Sequence, residues 1–485
     1  MTTCSPSILS YISTYWNYTL LLLTGRYLNL FRKIEVPKGF APLLRNYERF
    51  FTDYIYGRLH ASFARPVISK PGRTIVVQKR PLTDNLGYFY GGSKDVSIKE
   101  AVETVNMSSY NYLGFAEAPE CQNDVLDSLE QFGTSTTTVS SGYGHTTVHD
   151  KLERDVAKFV GTEDALIFGM GFATNSTVIP TLVDKNSCVI SDSLNHASII
   201  MGVRASGAKV KVFKHNNMKH LESVIRKAII EGHPRKRRPF NKIIIIVEGV
   251  YSMEGEMCDL PELLKLKKKY NCYLYMDEAH SIGATGNHGR GVAEYFGVDP
   301  KEIDIMMGTF TKSFGSVGGY IAGSYQTIHH LRKCSFSHNY ATNLPVPAAQ
   351  IVVSAMNVMT GADNTNIGKN KIKQLRRNET RLRDGLREMG CEVVGDEHSP
   401  VMCVMVYNPT KMYYISRECF YRGISIVMVG APATDLIEGR IRFCVSAAHT
   451  DEDIDYVLKI FSRISDRTLI KYTLPWYEQL KRLFI

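Results

Sequence analysis

The sequence predicts an α/β protein: a mainly parallel sheet covered on both faces, a smaller α/β domain behind it and an apolar segment in front. Three observations carry this. Short β-branched runs alternate with helical patterns through the middle of the chain, as in parallel sheets built from crossover units. One run, Lys242-Ile-Ile-Ile-Ile-Val247, is apolar at successive positions, a need only of a strand buried on both faces, so it belongs in the interior of the sheet. Finally, 485 residues with 44% hydrophobic and 22% charged side chains give room for two or three domains and match soluble globular proteins, which excludes disorder, collagen and a polytopic membrane protein.

Taken in order, residues 1–35 form the apolar segment. No charge occurs from Met1 to Gly25, and the apolar part runs from Ile8 to Leu30 and Phe31, broken only by Arg26, about the length of a bilayer span. Arg26, Arg32 and Lys33 follow the apolar stretch instead of preceding it, and no A-x-A site appears, so the segment reads as an anchor and not as a cleaved signal. Tyr11, Tyr15, Trp16, Tyr18 and Tyr27 suit a headgroup region, while Ser10, Ser13, Thr14, Asn17 and Thr19 make the first half polar. A single span, a membrane-surface helix and a helix packed on the protein all stay open. The basic residues place the body on the cytosolic side.

Residues 36–100 read as an arm and connecting segment, aromatic and basic, with Phe50, Phe51, Tyr54, Tyr56 and Phe63. Residues 101–355 form the large domain, with strands expected at 165–168, 187–191, 209–213, 242–247, 272–276 and 303–307. Residues 356–485 form the smaller domain, where the strand pattern restarts at 391–394, 401–407 and 440–445.

The net charge of +10, from 58 basic and 48 acidic residues, suits an anionic ligand, an anionic membrane or nucleic acid. The ten cysteines include no C-x-x-C pair and no zinc-site spacing. The expectation is reduced thiols and no metal.

In an open parallel sheet, ligands sit beyond the carboxyl ends of the strands. Three such ends are rich in polar residues: Asp277-Glu-Ala-His280, Thr309-Phe-Thr311-Lys312-Ser-Phe-Gly315 and Asp192-Ser-Leu-Asn-His196. A lysine among glycines and hydroxyls suits Schiff-base chemistry. Pyridoxal phosphate meets that description. Its ring nitrogen needs a carboxylate, which Asp277 can supply; its phosphate needs hydroxyls and amides, which Thr309, Thr311 and the segment Gly169-Met-Gly171-Phe172-Ala173 can supply. D-E-A-H also resembles a helicase string, but no G-x-x-x-x-G-K-[ST] exists to cradle a triphosphate. Gly169-Met-Gly171 lacks the third glycine of a dinucleotide fingerprint. The cluster Arg235-Lys-Arg-Arg238 reads as a solvated loop before a strand, with a nuclear signal as the alternative. Spacing alone also allows Ser252 to cap a turn, His280 to be a satisfied strand-end histidine and Arg442 to pair with an acidic neighbour.

The run from Glu248-Gly-Val-Tyr-Ser252-Met-Glu-Gly255 through D-E-A-H to Gly-Thr-Phe-Thr-Lys312-Ser-Phe-Gly315 resembles the α-oxoamine synthases. Supporting strings are Met107-Ser-Ser-Tyr-Asn111-Tyr-Leu-Gly114, Gly169-Met-Gly-Phe-Ala-Thr-Asn175, Lys214-His-Asn-Asn217 and Arg440-Ile-Arg442-Phe-Cys-Val-Ser-Ala-Ala-His-Thr450. The resemblance covers about residues 45–465 and implies a fold-type-I pyridoxal-phosphate transferase with a seven-stranded, mainly parallel sheet. Within the family the chain is similar to the lysine-bearing second subunits of the eukaryotic acyltransferases that condense L-serine with palmitoyl-CoA, releasing CoA and carbon dioxide, to give 3-ketosphinganine.

The resemblance implies that Lys312 forms the Schiff base and moves the Cα proton, that Asp277 pairs with the ring nitrogen and that His196 stacks on the ring. His280 and Ser252 would bond the ring hydroxyl; Thr309, with Thr311, Gly171 and Phe172, would hold the phosphate. Arg442 would grip the serine carboxylate, and Asn111 would lie near substrate at a dimer interface, as would Thr342. It implies a homologous non-catalytic first subunit as partner, small regulatory membrane subunits, no nucleic acid, and an endoplasmic reticulum membrane location with the catalytic domain facing the cytosol. Two segments depart from bacterial relatives: the strand Gly133-Thr-Ser-Thr-Thr-Thr-Val139 lacks a Ser-Arg or Thr-Arg step, and Gly430-Ala-Pro-Ala-Thr-Asp435 has no arginine before it.

Overall fold

A strand that is apolar at every position is stable only with cover on both faces, and the computed structural model shows how the chain supplies it. The structure describes residues 8–30, 38–41, 65–79, 101–234, 238–431 and 433–482. Its strands are β1 (Thr74–Gln78), β2 (Ala101–Asn106), β3 (Asp164–Phe168), β4 (Cys188–Asp192), β5 (Lys209–Phe213), β6 (Ile243–Glu248), β7 (Tyr273–Asp277), β8 (Ile305–Thr309), β9 (Gly319–Gly323), β10 (Val393–Val394), β11 (Val401–Tyr407), β12 (Ile424–Ser425), β13 (Val427–Val429) and β14 (Gly439–Cys444).

The seven-stranded sheet runs β3-β9-β8-β7-β6-β4-β5. Neighbours from β8 to β5 are parallel, and only β9 runs against its neighbours. Alternate side chains feed two cores. Ile244 and Ile246 pack with Tyr275 beneath Val178, Ile179, Ile199 and Val203 of the helices Gly171–Leu182 and Ala197–Ser206. Ile245 and Val247 pack with Leu274 and Met276 on the other face, against Leu152, Val156 and Leu263. Each such aliphatic side chain contributes about 1.5–3 kcal/mol on burial.

The six expected runs of the large domain all form strands, and the Lys242 run is interior. β9 was not expected: Gly-Tyr-Ile-Ala-Gly is short, with three non-glycine side chains between glycines. Tertiary fit makes it a strand. The Tyr320 ring lies across Gly308 of β8, where any Cβ would overlap it. The expected strand 133–139 is absent; only Val139 bridges, to Thr342. Local hydroxyls compete with the ladder there: Ser135 Oγ accepts the Thr137 N–H at 3.1 Å, and Thr137 takes a left-handed φ of 54°.

The C-terminal region forms the antiparallel sheet β10-β11-β14-β13, packed with the helices Ile367–Glu388, Pro409–Tyr421 and Asp451–Thr468. The last begins in a capping box between Thr450 and Asp453, with three acidic residues in its first turn. A small sheet, β1-β2-β12, ties the strand at the start of the expected large domain to the C-terminal region.

The N-terminal segment is one helix, Ile8–Leu30. Its contacts correct part of the expectation. Thr14, Tyr18 and Gly25 are buried, and the helix packs on β11 and the helix Pro409–Tyr421. Ile12, Trp16, Leu23 and Tyr27 face outward, each more than half exposed. Among the described residues no helix is long and apolar enough to cross a membrane, so a single span is not supported; the hydroxyl and amide side chains dilute the first half too far. The aromatic residues 50–63, residues 235–237 of the basic cluster and Pro432 lie outside the described residues.

Candidate active site

The ends of β4, β6, β7 and β8 converge. Lys312 follows β8 in a turn. Burial lowers its ammonium to about 8, with Asp277 and Glu248 opposing the shift, and its Nζ lies 5.5 Å from the Tyr110 ring centroid. A lysine lowered this far supplies neutral amine near physiological pH, the form needed to attack a carbonyl.

Asp277 ends β7 in register with Glu248 of β6. Its Oδ1 accepts the Ala279 N–H at 2.9 Å and its Oδ2 accepts from Asn175 Nδ2 at 2.7 Å. Glu248 accepts the His196 N–H at 2.5 Å; burial first, and then the Asp277 charge, push its carboxyl well up. His196 caps the helix Ala197–Ser206 and shows one side to the cleft, with Phe172 edge-on at 6.0 Å. Its Nδ1 accepts from the Ser198 amide at 3.3 Å and from the Ser198 hydroxyl at 2.8 Å. Nε2 therefore carries the ring hydrogen, and desolvation favours this neutral form.

His280 is buried, held neutral by burial with Lys312 and Arg442 nearby. Its Nδ1 shares a hydrogen bond with the Tyr112 hydroxyl at 2.9 Å, which leaves Nε2 for a ligand. Thr309 Oγ1 lies 2.9 Å from Thr311 Oγ1 and donates to the Gly318 carbonyl at 2.8 Å. A Cβ on Gly171 would sit 2.8 Å from Thr309 Oγ1. Hydroxyls, a required glycine and the amides that open the helix Gly171–Leu182 thus form one cradle, the donor set a phosphate needs. With Lys312 and Asp277, the residues present fit pyridoxal phosphate.

Arg442 stands on β14, buried, and its Nε has no hydrogen-bond partner among the described residues. Its Nη1 reaches the Ser252 carbonyl at 3.4 Å, and its Cζ lies 4.6 Å from the Tyr110 ring centroid. The acidic neighbours go to Arg440 instead, which bonds Glu254 at 3.3 Å and Glu438 at 2.8 Å. Arg442 is thus a forked donor without a carboxylate among its partners, suited to an incoming one. Ser252 is buried in the turn beside it.

Asn111 is not brought into this group. Its Nδ2 donates to the Pro71 carbonyl at 3.1 Å and its Oδ1 accepts the Ala116 N–H at 3.2 Å, which makes it a brace for the segment carrying Tyr110 and Tyr112. Sequence reasoning missed Tyr110, Tyr112, Glu248, Asn175 and Ser198. Glu248 obeys the same strand-end rule that marks Asp277. Asn175 is a polar residue on the buried stripe of its helix, beside Val178 and Ile179. Nothing in the sequence marks Tyr110.

Residues 102–461 match the model of the family aminotransferase class I and II. The chain is 44% identical to serine palmitoyltransferase 2 of Dictyostelium discoideum, over 96% of this chain and 95% of the relative. It is 45% identical to long chain base biosynthesis protein 2a of Arabidopsis thaliana, again over 96% and 95%. Among solved structures it resembles the Sphingomonas wittichii serine palmitoyltransferase, with a TM-score of 0.75 and 25% identity over 89% of this chain and all of the other. A structure of SPT with a PLP internal aldimine gives a TM-score of 0.72 at 26% identity, over 84% and 93% of the two chains.

Proposed function

The chain belongs to the aminotransferase class I and II family, and from that premise we propose that it is the catalytic, lysine-bearing subunit of a serine palmitoyltransferase. It condenses L-serine with palmitoyl-CoA and releases carbon dioxide and CoA, the entry step of long-chain base synthesis. One observation carries the reading: a lysine lowered to about 8 shares a cleft with a ring-nitrogen carboxylate, Asp277, and with an arginine whose buried Nε has no hydrogen-bond partner among the described residues.

Bound in the cradle, pyridoxal phosphate supplies an electron sink that stabilises negative charge on the substrate Cα. Arg442 binds the serine carboxylate with its fork and orients the Cα–H bond. Lys312 would hold the cofactor and, as a neutral amine, would accept the Cα proton of serine. Asp277, its oxygens held by Asn175 and the Ala279 amide, would pair with the ring nitrogen. His196, with hydrogen on Nε2, would pack against the cofactor ring, and His280, whose Nδ1 is engaged by Tyr112, would offer Nε2 to the ring hydroxyl. The burial of Asp277, Glu248, His280 and Arg442 keeps water from the floor of the site and strengthens each charge interaction.

The N-terminal helix supports a membrane-surface placement on the cytosolic side of the endoplasmic reticulum. Thr14, Tyr18 and Gly25 face the protein while Ile12, Trp16, Leu23 and Tyr27 face out, unlike a helix that only packs its apolar side on a soluble body. A homologous, lysine-free first subunit and small membrane subunits complete the assembly in this reading. The exposed aromatics Tyr143, Phe336 and Tyr340, on segments joined by the Val139–Thr342 bridge, support a partner covering that side.

The test is co-expression with a first subunit and assay of labelled serine with palmitoyl-CoA. Product that depends on Lys312 supports the reading; product unchanged in Lys312→Ala, or a preference for glycine over serine, overturns it.

A further inference from the structure

A fully buried hydrogen-bond chain lies behind Asp277 and His196, outside the groups that touch substrate. The Tyr275 hydroxyl donates to Asn175 Oδ1 at 2.6 Å. Asn175 spends its Nδ2 hydrogens on Asp277 Oδ2 at 2.7 Å and on Ser198 Oγ at 3.0 Å. Ser198 donates its own hydrogen to His196 Nδ1 at 2.8 Å. Tyr275, Asn175 and Ser198 are each at most 1% exposed. Every donor and acceptor in the chain has one direction that satisfies all of them, because Asp277 and the imine-type Nδ1 of His196 can only accept. Reversing the amide would set Oδ1 against both Asp277 and Ser198 and leave repulsion in a dry site, where unpaired polar contacts are most costly.

We infer that Asn175, anchored by Tyr275, is a positioning residue that couples Asp277, the partner of the ring nitrogen, to His196, the histidine on the ring face. Its amide aims one N–H at Asp277 and thereby keeps the proton on the ring nitrogen, and its other N–H, through Ser198, fixes which nitrogen of His196 carries hydrogen. The inference rests on the cofactor reading above. Asp277 receives one donor on each oxygen, Asn175 on Oδ2 and Ala279 on Oδ1. Ala279 donates from its backbone, which any substitution other than proline leaves in place. Asn175 is the adjustable half. Tyr275 stands on β7 itself, two residues before Asp277 on the same face of the sheet, so backbone movement carries anchor and carboxylate together.

The test is a nitrogen-15 NMR measurement on holoprotein carrying imidazole-labelled histidine and loaded with cofactor labelled at the ring nitrogen, at neutral pH and through an alkaline titration, for wild type, Asn175→Ala, Tyr275→Phe and Ser198→Ala. In Asn175→Ala the ring-nitrogen signal should move toward unprotonated pyridine and its titration should fall by about one to two pH units, the loss expected for one hydrogen bond to a charged acceptor. Tyr275→Phe, which removes one oxygen atom and keeps the ring that packs the core, should shift the same way by a smaller amount. Ser198→Ala should leave the ring-nitrogen signal in place and alter the imidazole nitrogen signals of His196. If Asn175→Ala does not fold, Tyr275→Phe decides. A wild-type protein that binds the labelled cofactor with a protonated ring nitrogen secures the reading beneath the inference; signals unchanged in the variants against that background overturn the inference alone.

Discussion

Replacing Arg442 by methionine tests two opposite consequences of one arrangement. Without substrate, the guanidinium is buried, and its Nε has no hydrogen-bond partner among the described residues. Its contacts include the Ser252 carbonyl at 3.4 Å, the Met253 sulfur at 3.8 Å and the Tyr110 ring at 4.6 Å, with the Tyr110 and Cys444 side chains as further partners and no carboxylate among them. A buried cation lacking a counter-charge is a cost to the fold, so methionine, of similar length, should leave stability unchanged or raise it by about 1 kcal/mol or more. Serine binding should move the other way. Removing one partner of a buried, bidentate charge pair costs about 3–5 kcal/mol, which is roughly a hundred- to several-thousand-fold in kcat/KM for serine. The KM for palmitoyl-CoA should stay the same. Arg442→Lys keeps the charge and loses the fork, so it should fall between. Steady-state assay of the co-expressed complex at varied serine, with urea denaturation of the same preparations, reads both effects. Serine kinetics unchanged in Arg442→Met would refute the carboxylate role, and destabilisation by several kcal/mol would show that the guanidinium is structural.

Lys312 ties stability to pH when no cofactor is bound. Its folded value of about 8 lies below the ordinary 10.5, so the unfolded chain binds the extra proton between those values, and the penalty is complete below pH 8 and relieved toward pH 10.5. Apo Lys312→Met should therefore be more stable than apo wild type by up to about 3 kcal/mol at pH 7 and by less than about 1 kcal/mol at pH 10; a gap independent of pH in urea denaturation counts against the shift. Gly171→Ala puts a methyl 2.8 Å from Thr309 Oγ1, so cofactor affinity measured by absorbance titration should drop at least about tenfold with far-ultraviolet dichroism unchanged. Ile246, fully buried under the helix that carries Asn175, should cost about 2–5 kcal/mol when cut to alanine, read from the urea midpoint. Serine at Trp16 and Leu23 together should release the protein from anionic vesicles in a flotation assay without loss of thermal stability, since both side chains face away from the body.

Much of this protein is written locally. Apolar runs at successive positions, such as 243–247, require a doubly covered strand wherever they fall, because each side chain on either face must leave water. A carboxylate, a histidine and a lysine placed just beyond such runs emerge on the same edge of a parallel sheet, since all its strands point one way. That is why Asp277, His280, His196, Thr309 and Lys312 could be assembled without coordinates. Elsewhere local pattern misleads: the hydroxyl-rich stretch 133–139 satisfies its own backbone, and the N-terminal helix carries its apolar residues on the side away from the protein.

Tertiary structure alone decided what depends on residues far apart in the chain. β9 is a strand because Gly308 leaves room for Tyr320. Arg442 and Arg440 are two residues apart and alike in sequence, yet Glu254 and Glu438 neutralise only Arg440. Asn111 is braced by Pro71 and Ala116, while Asn175, on a helix between two strands, aims at Asp277 from 102 positions away. Sequence determines which groups can ionise, donate or accept; whether a given group is spent on its own backbone or left free for chemistry depends on which distant partner the packing brings within about 3 Å.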